Sequence, residues 1–240
     1  MKIAIPDADI LTGCSDMHLV TLADGMAIHH QMQTAWHALL KAAAAEGIDI
    51  KIASAFRGFQ RQAAIWQAKC SGLRPVYDLT QQQVAVTNLT GLAKLQAIML
   101  YSALPGASRH HWGTEVDVYD GATVADDYQP QLIPGEYQAD GPFARLNHWL
   151  GTEASRFGFF RPYQHYRGGV AAEPWHLSYA PVATTYQQAF TLSILRQCLL
   201  QNPIAEQDAV LANLPQLYRD YIINICQQPL SVQANAEEPQ

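Results

Sequence analysis

No apolar run in this 240-residue chain approaches the roughly 18 residues needed to cross a bilayer as a helix, so a helical membrane span is excluded. Charge is sparse. The 15 basic and 21 acidic residues leave a net charge of -6, and the basic ones (Lys41, Lys51, Arg57, Arg61, Lys69, Arg74, Lys94, Arg109) are scattered rather than gathered in a stripe. That excludes an electrostatic footprint for nucleic acid. The four cysteines, Cys14, Cys70, Cys198 and Cys226, form no CxxC pair, which argues against a cysteine-ligated zinc, and dispersed thiols suit a reducing compartment. Near the start, Pro6, Asp7 and Asp9 interrupt the stretch where a signal peptide would carry its apolar segment, so the expected location is cytoplasmic, with the periplasm as alternative. No internal repeat or low-complexity tract breaks the chain.

What is present is core. Hydrophobic residues make up 49% of the sequence, enough for one large domain or a domain with an appendage. From Ala27 to Glu46 apolar residues recur at helical spacing (Ile28, Met32, Trp36, Leu39, Leu40, Ala43), and Gly47 stands where a helix C-cap is wanted. Ile48, Ile50 and Ile52 then alternate with Asp49 and Lys51, the period of a half-buried strand ending at Ser54. A helix toward Gly72 follows, which places Arg57 and Gln62 at a strand-to-helix junction. A further helix lies within residues 81–103, stopped by Leu104-Pro105-Gly106. In TEVDVYD, Val116 and Val118 alternate with Glu115, Asp117 and Tyr119, predicting a strand that buries its valines and turns Asp117 the other way. Residues 121–141 read as a long excursion, and helical spacing returns from Phe143 to Phe157. WHLSY alternates again, and beyond Pro181 two helical runs, about 184–200 and 205–226, precede the polar tail NAEEPQ.

Two stretches concentrate the chemistry: SRHHWGTEVD at 108–117 and EPWHLSY at 173–179. A hydrolytic zinc site needs three imidazole or carboxylate ligands, an open position, and a nearby base. His110, Asp117 and His176 can supply the ligands and Glu173 the base. Gly113 allows a tight turn between the first two ligands. Glu173 and His176, three positions apart, would face opposite ways in a regular strand, but Pro174 places Glu173 in the turn before it. Trp175 suits either core packing or the pocket wall. His29, His30, His111, His148 and His165 lack such a context and read as ordinary histidines.

These motifs resemble the SxHxxGxAxD and ExWH signatures of zinc D-Ala-D-Ala carboxypeptidases and dipeptidases of the VanY and VanX type, whose fold is shared with the Hedgehog signalling domain; SAFRGFQRQ is similar to a third signature, SxYRxxxxQ. The resemblance implies an α+β fold with a small antiparallel sheet backed by helices, and one Zn²⁺ per chain held by His110, Asp117 and His176. It further implies Glu173 as catalytic base, Arg57 as stabiliser of the oxyanion, and Gln62 and Ser108 lining the peptide site. The substrates it implies are peptidoglycan stem peptides, cut near their carboxyl end.

Two positions depart from the pattern: Phe56 stands for tyrosine, and Glu115 for a small residue, where it is expected to add negative charge near the site. The expected organisation is an N-terminal segment (1–24), a zinc peptidase domain (25–185), and a helical C-terminal appendage with a polar tail (186–240). Endopeptidase or D,D-dipeptidase action uses the same residues. A non-catalytic zinc-stabilised module that binds wall peptides or a protein would need neither Glu173 nor Arg57. Cytoplasmic location and a wall substrate are compatible if the peptides are recycled ones.

Overall fold

The computed structural model describes residues 5–227, so the tail NAEEPQ lies outside the described residues. The first helix, α1 (Ala8–Thr12), is capped by Asp7, whose carboxylate accepts the Ile10 N–H at 2.8 Å. A hairpin follows, β1 (Leu19–Thr21) antiparallel to β2 (Ala27–His29). Here the structure departs from the periodicity. The helix predicted from Ala27 begins only at Gln33, after a single 3-10 turn, and runs to Ala45 as α2. Residues 27–29 are extended because they pair with β1, and the His29 N–H donates to Gly113 O at 2.7 Å. Tertiary hydrogen bonds therefore outweigh the local spacing, while Ile28 and Met32 still reach the core.

Strand β3 (Ile50–Ser54) buries Ile50 and Ile52 and exposes Lys51, as the alternation requires. Helix α3 (Phe59–Cys70) turns Phe59, Gln62, Trp66 and Cys70 inward, and α4 (Gly91–Met99) packs against it. Then come β4 (Glu115–Asp120), an excursion over 121–141 holding only two short 3-10 turns, and α5 (Ala144–Glu153). Two short strands, β5 (Phe159–Phe160) and β6 (His176–Tyr179), lead into α6 (Ala180–Ala189), α7 (Leu192–Gln201) and α8 (Gln207–Leu217).

The main sheet runs β3-β4-β6-β5, antiparallel throughout. One face carries Val116, Val118 and Leu177 into a core with Trp36 and Leu39 of α2 and Leu146 and Trp149 of α5. The other face is polar. A second core lies among the helices, where Trp66, Leu95 and Ile98 pack with Leu195, Leu199, Val210 and Leu214. The indole N–H of Trp66 donates to Ala205 O at 2.9 Å across that core. The C-terminal helices are thus built into the packing of α3 and α4 and do not hang from it.

Candidate metal centre

β4 and β6 pair so that Asp117 lies opposite His176 and Glu115 opposite Ser178. A period of two then puts all four side chains on the polar face of the sheet. His110 arrives from outside the sheet, on a 3-10 turn (Arg109–Trp112) that ends at Gly113 with φ +66°. A Cβ at Gly113 would lie 2.4 Å from Leu19 Cδ2 and 2.9 Å from the His29 nitrogen, so only glycine closes this turn.

The ligand atoms of His110, Asp117 and His176 lie within 4.8 Å of one another, and all three residues are buried. His110 Nε2 is 3.3 Å from Asp117 Oδ2, and His176 Nδ1 is 3.1 Å from Asp117 Oδ1. The outer nitrogens are both engaged. His110 Nδ1–H donates to Ala55 O at 2.8 Å, which leaves Nε2 with its lone pair turned inward. Burial, followed by the charge of Arg57, lowers the His110 pKa and keeps that neutral tautomer. His176 Nε2 lies 2.8 Å from Glu115 Oε2 and donates to it, so Nδ1 is the atom left facing Asp117. Burial alone would lower the His176 pKa, but hydrogen bonds to Asp117 and Glu115 prevail and raise it, which makes Nδ1 a basic position where a metal ion would compete with a proton. Asp117 is held well below the usual carboxylate range: burial opposes ionisation, yet His110 and His176 outweigh it. Two imidazole nitrogens and a carboxylate converging in this way are the donor set of a hydrolytic zinc, and the group fits.

Glu115 behaves differently from the expectation of added negative charge. It is fully buried and also accepts from Arg109 Nη2 at 3.0 Å, Ser178 Oγ at 2.7 Å and Thr114 Oγ1 at 3.1 Å. Against the penalty of burial, Arg109 and His176 lower its pKa to about 2. Its charge is consumed inside a closed network whose one product at the site is the orientation of His176.

Glu173 sits in the turn before β6, closed by the bond from the His176 N–H to Glu173 O at 3.1 Å. Its Oε2 lies 3.4 Å from His176 Nδ1, and burial raises its pKa to about 7. Arg57 follows β3 and lines the same cleft, of about 340 Å³, as Ser108, Glu173 and the three candidate ligands. Its Nη1 donates to Gln62 Oε1 at 3.2 Å, and Gln62 Nε2 donates to Ala103 O at 2.7 Å. Gln62 is completely buried with both amide ends taken, so it braces Arg57 and does not line the peptide site as expected. Trp175 does two things: it packs with Tyr137 and Phe143 and also forms part of the cleft wall.

Some participants had no signal in the sequence. Tyr163, a cleft residue whose ring centroid is 5.0 Å from that of His176, comes from a loop without a motif. His111, read as ordinary, donates from Nδ1 to Arg57 O and accepts the Gly106 N–H at 3.1 Å on Nε2, fixing the backbone beneath Arg57. Only Glu115 was legible, as a carboxylate sharing the face of Asp117.

Residues 25–182 match the model of the VanY family, described as D-alanyl-D-alanine carboxypeptidase. An uncharacterised protein of Haemophilus influenzae is 36% identical over 122 residues, which is 50% of this chain and 93% of that protein. A D-alanyl-D-alanine carboxypeptidase of Enterococcus faecalis is 27% identical over 173 residues, covering 70% of this chain and 53% of that protein. Among solved structures, VanYB in complex with D-alanine-D-alanine shares the fold, with a TM-score of 0.50, 24% identity, and coverage of 78% of this chain and 91% of that one.

Proposed function

This chain belongs to the VanY family of D-alanyl-D-alanine carboxypeptidases, and from that premise we propose that it is a zinc carboxypeptidase acting on D-Ala-type bonds at the carboxyl end of peptidoglycan stem peptides. One observation carries the reading. Arg57 Nε and Ser108 Oγ are buried polar atoms without a hydrogen-bond partner, and both residues line the cleft that holds Glu173. Unpaired buried polar groups cost about 1–3 kcal/mol each, so two on the wall of one cleft mark a place built to receive polar partners.

His110, Asp117 and His176 would hold one Zn²⁺, which when bound polarises the scissile carbonyl and acidifies water. Glu173, buried and carrying a raised pKa, takes the proton from the attacking water and returns it to the leaving amine. Arg57, held by Gln62 and by its backbone, supplies a fixed cation to the oxygen on which negative charge develops. Ser108 offers a hydroxyl to the peptide backbone. Neither Glu173 nor Arg57 is needed merely to hold a metal, which favours a catalyst over a binding module.

The test is incubation of the zinc-loaded protein with defined tetra- and pentapeptide stems, with products read by mass spectrometry. Loss of one C-terminal residue is the expected outcome; cleavage inside the peptide would replace the reading with an endopeptidase. Glu173→Gln should retain zinc and lower turnover at least about 100-fold. Unchanged turnover would remove Glu173 from the mechanism.

A further inference from the structure

Lys69 and Arg74 also line the cleft, at the C-terminal end of α3 and in the turn after it, and the proposed chemistry uses neither. Lys69 is partly buried, yet among the described residues its ammonium has no salt-bridge partner, and neither does the guanidinium of Arg74. The charges that Lys69 feels are those of Glu173, Arg74 and Arg57. Arg57 is also offset by Asp117, which leaves Glu173, already committed as a base, as the one carboxylate acting on Lys69. Burial, with the charges of Arg74 and Arg57 added, brings the pKa of the half-buried Lys69 down to about 8 against the pull of Glu173. An arrangement of this kind becomes favourable when an anion enters.

We propose that Lys69 and Arg74 form a subsite for a carboxylate of the substrate peptide. The inference rests on the peptidase reading above and deepens it, because it says which peptides this cleft prefers. Two carboxylates share the chemistry: the terminal one, next to the scissile bond, and the free α-carboxylate of a γ-linked glutamate within the stem. A subsite for the first would favour cleavage at a free C-terminus; one for the second would set the register of the stem in the cleft.

Calorimetric titration of zinc-loaded Glu173→Gln protein reads peptide binding without turnover. Three peptides serve as probes: a stem with all carboxylates free, its C-terminal amide, and the form amidated at the internal glutamate. Lys69→Met in the same background should weaken the free-acid stem by about 10- to 100-fold, since a hydrogen bond to a charged group is lost. One of the two amidated peptides should bind both backgrounds alike, and that peptide identifies the carboxylate. Lys69→Arg should restore most of the affinity, which a loss of folding in Lys69→Met would not allow, and Arg74→Gln should reproduce the selective loss in weaker form. Equal affinity of all three peptides for the Lys69→Met and Lys69 backgrounds would overturn the proposal. Hydrolysis by the unmutated protein is run in parallel: its absence would refute the peptidase reading, while the titration still reports on the subsite.

Discussion

Glu115 Oε2 lies 2.8 Å from His176 Nε2, on the side of the imidazole away from Asp117, with Arg109 3.0 Å from the other carboxylate oxygen. A carboxylate behind a ligating histidine fixes its tautomer and raises its basicity, and such partners typically contribute about 10- to 100-fold to metal affinity. Glu115→Gln keeps the shape but loses the charge, so zinc affinity should fall by about that factor in a chelator competition. Glu115→Ala should also destabilise the fold by about 3–5 kcal/mol, since it strands the buried Arg109 charge. Wild-type zinc affinity in Glu115→Gln would reduce the network to a packing device.

Gln62 spends both ends of its amide on holding Arg57 and Ala103. Gln62→Leu suits the buried helix face but frees the guanidinium. Small misplacements at a reacting centre can cost about 100-fold, so kcat should drop by roughly 10- to 100-fold while zinc content stays the same. Steady-state kinetics with metal analysis on one preparation checks both.

His29 is buried with Nε2 3.0 Å from the Tyr186 hydroxyl, and burial, helped by His30 and His18, lowers its pKa to about 3. In the unfolded chain a histidine takes up its proton near pH 6.5. The unfolded state therefore binds more protons between these values, and stability is lost as pH falls below about 6.5. By pH 5 the loss from this group should be about 2 kcal/mol relative to neutral pH. Urea unfolding of wild type and His29→Gln at pH 7.5 and 5 should show a smaller decline in the variant; parallel declines would exclude His29 as a source.

Truncation after residue 190 should abolish the native fold rather than trim an appendage. It removes Leu195, Leu199, Val210, Leu214 and Leu217 from the core around Trp66, Leu95 and Ile98. At about 2 kcal/mol per buried side chain, that loss rivals the whole stability of a typical domain, about 5–15 kcal/mol. Near-ultraviolet circular dichroism and proteolysis of the truncated chain measure it. A sharp thermal transition with retained zinc would show residues 25–185 to be self-sufficient.

The sequence by itself determined the strand alternations of β3 and β4, the turn position of Glu173, and the three residues that converge on a metal position. Most depend on a short-range rule: a period of two, the exclusion of Pro174 from a sheet, or a glycine that lets His110 and Asp117 approach; His176 reaches them only through the pairing of β6 with β4. Tertiary structure decided what short-range rules cannot reach. Residues 27–29 became a strand because they pair with β1, with the His29 N–H further tied to Gly113, far along the chain. Gln62 became a brace because Arg57 and Ala103 meet it in the interior. The charge of Glu115 turned from an expected addition near the site into support for the candidate ligand His176, because the fold brings Arg109 and Ser178 against it. In each case the partner lies where local periodicity carries no information, and the cost of leaving a buried polar group unpaired selects the conformation.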